Sequence, residues 1–121
     1  MENERIGGEL LKGHITTMIL AILGDQPRHG YEIMKTLADR TNGVFELGQG
    51  TIYPLLYSLE ERGWICSTTT IVDGRQRRVY SLTAAGRKHG QECRTQWRIF
   101  REAMNRILEP MSLKGSCDGR V

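Results

Sequence analysis

Three arginines fall within four positions, Arg75, Arg77 and Arg78, directly after the turn-forming pair Asp73-Gly74. Guanidinium groups gathered on a short loop bind polyanions, because each can donate to a phosphate and release its counterions. The other reactive side chains do not form comparable groupings. His14, His29 and His89 show no metal-ligand spacing with Cys66, Cys93 and Cys117, so no metal is expected. Gly48-Gln49-Gly50 starts like a phosphate loop but lacks the later glycine and the Lys-Ser/Thr pair. No nucleophile stands in a motif with a base, so neither an enzyme nor a cofactor is expected.

The regional charge agrees with a basic site. Residues 1–72 carry six Lys/Arg and nine Asp/Glu, net −3, whereas residues 73–106 carry nine and three, net +6. The chain as a whole, 121 residues at +3, hides this asymmetry. A local basic region points to a polyanionic partner when its position fits one, and to a solvated helix face otherwise.

The elements that must hold these arginines follow from periodicity. Leu10, Leu11, Ile15, Met18, Ile19, Ile22 and Leu23 give a helix over 9–23, with Gly24 as its stop. A second helix spans about 30–40, with Met34, Leu37 and Ala38 inward, and Asn42-Gly43 ends it. A third spans about 50–62 through Ile52, Leu55, Leu56 and Leu59. Pro54 is tolerable only in a first turn, so that helix should start near Thr51. The β-branched run Ile65–Val72 and the alternating Val79–Leu82 read as a hairpin with its tip at 73–77. Thr83 caps a last helix over 84–108, stopped by Pro110.

The fold class is therefore mostly α with a small β-hairpin: a winged helix-turn-helix over residues 9–83 and a long dimerisation helix over 84–110. Residues 1–8 and 111–121 read as flexible ends. The third helix should enter a major groove and the hairpin should form the wing. The positions on the third helix not used by the core are Thr51, Tyr53, Pro54, Tyr57 and Ser58, with Gln49 just before. Gln49, Thr51 and Ser58 can read base edges, and Tyr53 and Tyr57 can bind phosphate or pack against neighbouring elements. Lys35 and Thr36, on the outer side of the second helix, can reach backbone phosphates. His29 reads as a structural residue at the start of that helix.

The last helix carries Cys93, Trp97, Phe100, Met104 and Ile107 at spacings of 4, 3, 4 and 3, the heptad pattern of helix-on-helix packing. Trp97, Phe100, Met104 and Ile107 are the dimerisation residues this predicts. Arg87, Lys88, Arg94, Arg98 and Arg101 lie mostly off the stripe, on a solvated face.

His29-Gly30-Tyr31-Glu32-Ile33, Gly50-Thr51-Ile52-Tyr53-Pro54-Leu55-Leu56, Leu59-Glu60-Glu61-Arg62-Gly63 and the run Gly74–Gly86 resemble, in this order, the PadR family of transcriptional regulators, over about residues 9–110. The single last helix is similar to the short subfamily. The resemblance implies a homodimeric, ligand-responsive regulator of double-stranded operator DNA, usually a repressor. It also implies that Trp97 is a stacking wall for a planar aromatic effector held between subunits. Ile15, Met18, Cys93 and Phe100 are the apolar surroundings expected of that site. The chain departs from the family pattern at Tyr57-Ser58, where basic residues are common, and at Trp64, where an aliphatic residue is usual. The first departure shifts DNA affinity towards the wing. Trp64 is expected to pack the hairpin onto the third helix.

Two alternatives remain open at this level. One is a winged-helix module that binds protein through its long helix without binding DNA; the three wing arginines argue against it. The other is a redox-sensing regulator built on Cys93, for which only Arg94 favours a thiolate. No apolar run reaches the ~18 residues of a membrane span, and no signal peptide opens the chain. Three widely spaced cysteines suit a reducing compartment. A cytoplasmic protein without membrane contact is expected.

Overall fold

The structure, a computed structural model, describes residues 11–109. The ends read as flexible, together with Leu10 and Pro110, lie outside the described residues. The described chain runs α1 (Ile15–Asp25), β1 (Arg28–His29), α2 (Gly30–Arg40), α3 (Gln49–Glu61), β2 (Ile65–Val72), β3 (Arg75–Leu82) and α4 (Ala84–Leu108).

The core forms where the apolar stripes meet. Ile19, Leu20, Ile22 and Leu23 of α1 close over Ile33 and Leu37 of α2, Ile52, Leu56 and Leu59 of α3, and Ile65 and Tyr80 of the sheet. On α2 the fully buried residue is Ile33, with Met34 only half-buried, so the inner face is rotated by one position from the expected one.

Several boundaries differ from expectation for identifiable reasons. The helix expected over 9–23 is interrupted: Leu11 is helical, residues 12–14 form a turn, and the regular helix runs from Ile15 through Gly24 to Asp25. Its stop is set by Pro27, which forces Gln26 into an extended conformation (φ −168°, ψ 160°). The third helix opens at Gln49, because the Gly48 carbonyl already accepts from Thr51 and Ile52 N–H at 3.1 and 3.0 Å. Pro54 therefore sits in the second turn and removes the bond to the Gly50 carbonyl. Both residues are exposed, which leaves the Gly50 carbonyl open to solvent.

The hairpin is tighter than the sequence reading. Asp73 and Gly74 take φ of 52° and 75°, and strand pairing resumes at once with Val72 opposite Arg75. Positive φ at both central positions is what a two-residue hairpin turn needs. The three arginines consequently lie along β3, not on a five-residue tip. The sheet also has a third strand that was not expected: β1 pairs antiparallel with β3 through Arg28–Tyr80 and His29–Val79, giving the order β1-β3-β2.

The last helix is joined tightly to the end of α3. Thr83 Oγ1 accepts from Gly86 N–H at 2.9 Å and donates to the Gly63 carbonyl at 2.6 Å. Gly86 leaves room for the Trp64 carbonyl, which would lie 1.8 Å from a Cβ there. The Trp64 ring stacks on His89 of α4, 3.7 Å between centroids at 14°. Trp64 thus ties the hairpin's base to α4, and the Arg62 guanidinium at the end of α3 lies over the same ring, 5.2 Å from its centroid. Thr83→Ala should cost about 1–2 kcal/mol through loss of the cap. That should lower the thermal midpoint by several degrees in circular dichroism, with Thr83→Ser close to the parent.

Candidate nucleic-acid interface

The open end of α3 is the first part of the interface. Gly48, Gln49, Gly50 and Thr51 are all exposed, and no side-chain cap covers the N–H groups of Gln49 and Gly50. Such an end attracts phosphate through its free N–H groups and its dipole. Further along, Tyr57 is 67% exposed and Ser58 half-buried, so both can still be reached. Tyr53 divides its surface: a Cβ on Gly30 would lie 2.6 Å from its ring, which shows the ring lying on the first residue of α2, while 40% of the residue stays exposed.

The two α2 residues differ in availability. The Lys35 ammonium is held by Asp39 at 2.9 Å, and that hydrogen bond and charge raise its pKa above the ordinary value. The pair is exposed and can be exchanged for another anion. Thr36 Oγ1 accepts from Arg28 Nη1 at 3.1 Å, so its hydroxyl is engaged inside the domain. His29 stands at the start of α2, where Glu32 Oε1 accepts its backbone N–H at 2.8 Å.

On the wing, strand alternation divides the arginines. Arg75 and Arg77 share one face of the sheet and make no side-chain ion pair among the described residues. Arg78 lies on the opposite face with Tyr80, towards α3, with Nη1 3.9 Å from Glu60 Oε1 and 3.4 Å from Ser67 Oγ. Sequence reasoning missed Glu60 as a partner, because it saw only the excess of positive charge around the wing.

A second candidate site lies along α4 and the start of α1. Trp97, Phe100, Met104 and Ile107 are 41%, 48%, 40% and 71% exposed along α4. Beside them is a groove of ≈ 390 Å³ whose walls include Met18, Trp97, Phe100 and Met104 together with Leu11, His14, Thr17 and Phe45. The His14 ring stands edge-on to Trp97 at 5.3 Å, and Trp97 lies 5.6 Å from Phe100. Ile15 and Cys93, expected in this site, do not line the groove; Ile15 packs against the core and Cys93 is half-buried on α4. His14 and Phe45 were not anticipated. His14 precedes Met18 by four residues and so carries a weak helical signal, whereas Phe45 comes from the loop after α2 and carries none.

Among the described residues no group of His, Cys, Asp and Glu could hold a metal, and no helix is long and apolar enough to cross a membrane.

The order of elements, the open recognition helix and the paired strands have a counterpart among known proteins. The sequence model of the transcriptional regulator PadR-like family matches residues 19–92, from within α1 to the first half of α4. The chain belongs to the PadR-like family. It is 35% identical over 79 residues to the transcriptional regulator Rv3488 of Mycobacterium tuberculosis, covering 65% of this chain and 71% of that one. A PadR-like transcriptional regulator from Bacillus cereus superposes with a TM-score of 0.76 at 26% identity, covering 85% of this chain and 99% of the other. A Streptococcus transcriptional regulator gives 0.72 at 33% identity, with 82% and 96% covered. This PadR-like chain is a transcriptional regulator with a winged helix-turn-helix, and not an enzyme. DNA is the ligand its family binds.

Proposed function

We propose that this regulator acts as a ligand-responsive repressor, binding a pseudopalindromic duplex operator as a homodimer in the cytoplasm. The observation that carries the reading is the uncovered apolar stripe of α4, Trp97 to Ile107, next to an aromatic groove. A stripe of this length exposed on one chain calls for a second helix against it. Two-fold symmetry then supplies two recognition helices, one for each half-site. Gln49, Thr51 and Ser58 read bases. Tyr53, Tyr57, Lys35 and the wing arginines Arg75, Arg77 and Arg78 contact phosphates, with Thr36 beside them once Arg28 yields its hydroxyl.

The effector is a planar aromatic molecule held against Trp97 and Phe100, with Met18 adapting to its outline. Because α4 is bound to Trp64 and thereby to the end of α3, a ligand that tilts α4 also tilts the recognition helix. It releases DNA if it favours the dimer form whose helices fit the operator poorly.

Fluorescence tests the ligand half of this reading. The chain has two tryptophans, so Trp64→Phe leaves Trp97 as the sole reporter. Planar aromatic compounds should quench it saturably and weaken DNA binding. Saturable binding that survives Trp97→Ala unchanged would place the effector elsewhere. Absence of binding across a broad panel would mean a seam packed shut.

A further inference from the structure

The recognition helix carries a carboxylate on the side that meets the wing. Tyr53, Tyr57 and Glu60 stand four and three residues apart and share one face of α3. A carboxylate on such a face works against phosphate. Its neighbours are both on the sheet: Ser67 Oγ donates to Glu60 Oε2 at 2.8 Å, and Arg78 Nη1 approaches Glu60 Oε1 and Ser67 Oγ at 3.9 and 3.4 Å. Ser67 pairs with Tyr80, so Ser67 and Arg78 occupy the same face of the sheet, at diagonal positions.

This arrangement is a loose hold. The Arg78 side chain is 59% exposed and that of Glu60 32%, and the ion pair is at the long end of its range. A solvated pair of this kind is weak enough for a phosphate oxygen to displace the carboxylate. Arg75 and Arg77, on the other face, have no carboxylate to leave among the described residues. Of the three wing arginines, Arg78 is therefore the one whose charge is already engaged before DNA arrives.

We infer that Glu60 is a built-in competitor for the DNA phosphate: it holds Arg78 in register beside the recognition helix in the free protein and surrenders it when duplex binds. Glu60 lowers affinity for any duplex, and in exchange it keeps the wing aligned with α3. The inference rests on the DNA reading proposed above, and its test separates the two.

The probe is a labelled mixed-sequence duplex at low salt, titrated with the full chain. Glu60→Gln keeps an acceptor for Ser67 and removes the charge. It should bind about two- to fivefold more tightly than the parent. In an Arg78→Ala background the same change should give no gain, because there is no arginine left to release. Ser67→Ala, which removes the bridging hydroxyl, should give a smaller gain in the same direction. No gain from Glu60→Gln in the parent overturns the inference. Equal gains in both backgrounds overturn it too, since Glu60 would then repel phosphate directly and not through Arg78. If Arg75→Ala/Arg77→Ala binds the duplex as well as the parent does, it is the DNA reading of the wing that fails.

Discussion

Trp97→Glu or Met104→Glu is expected to convert the proposed dimer into a monomer and to lower DNA affinity by about 10²–10⁴-fold. Both side chains are about two-fifths exposed on the isolated chain and stand on the stripe that α4 would present to its partner. A carboxylate at either position would be carried into the seam twice by the two-fold axis, and desolvation of charge there is costly. The domain core should be unaffected, because Ile19, Leu20, Ile33, Ile52 and Leu56 close it without help from this part of α4. The expected pattern is an unchanged circular dichroism spectrum, half the mass by light scattering and weak, non-cooperative binding to duplex. A parent protein that scatters as a monomer at micromolar concentration contradicts the account, as does a dimeric glutamate variant.

Replacing Arg75, Arg77 and Arg78 together with alanine should weaken binding to every sequence alike. If each contacts one phosphate, the slope of log affinity against log salt should shrink by about 2.7, from roughly 0.9 per contact. The location of the three on β3 supports additive losses for Arg75 and Arg77. The loss from Arg78 is smaller, because its charge is shared with Glu60 before binding. Changes at Gln49, Thr51 or Ser58 should behave differently. They should alter preference among sequences, about 1–3 kcal/mol for each good base contact, and leave the salt slope nearly unchanged. An arginine triple variant with the parent's affinity and slope would remove the wing from the interface.

Strongly periodic or strongly capped elements were legible in the sequence. The Thr83 cap and the apolar spacing placed α4 at Ala84–Leu108, and the β-branched run placed β2 at Ile65–Val72, both as found. Features decided by partners distant in sequence were not. A strand as short as Arg28–His29 has no periodicity; it exists because β3 offers a free edge. Pro54 argued for a later start of α3, and tertiary burial of Ile52 and Leu56 overrode it. The Asp73-Gly74 pair marks the turn, but β3 begins at Arg75, four positions before the alternating Val79–Leu82, because arginines are poor strand markers.

The candidate sites follow the same division. Exposure of Gln49, Thr51 and Tyr57 was readable as the complement of the core stripe. The ring of Tyr53 on Gly30, the hydroxyl of Thr36 on Arg28 and the pair of Arg78 with Glu60 depend on contacts that composition and spacing do not encode. In the groove, Trp97 and Phe100 were visible through the heptad. Phe45, contributed by a loop, became visible only in three dimensions.

The most direct test is to incubate the purified protein with a pool of random-sequence duplexes, recover the bound fraction over several rounds and sequence it. The account predicts enrichment of an inverted repeat whose half-site centres lie about one helical turn apart, or a multiple of it, as two recognition helices on a two-fold axis require. Enrichment of a single unrepeated motif, or no enrichment at salt concentrations where the parent still binds duplex, would contradict it.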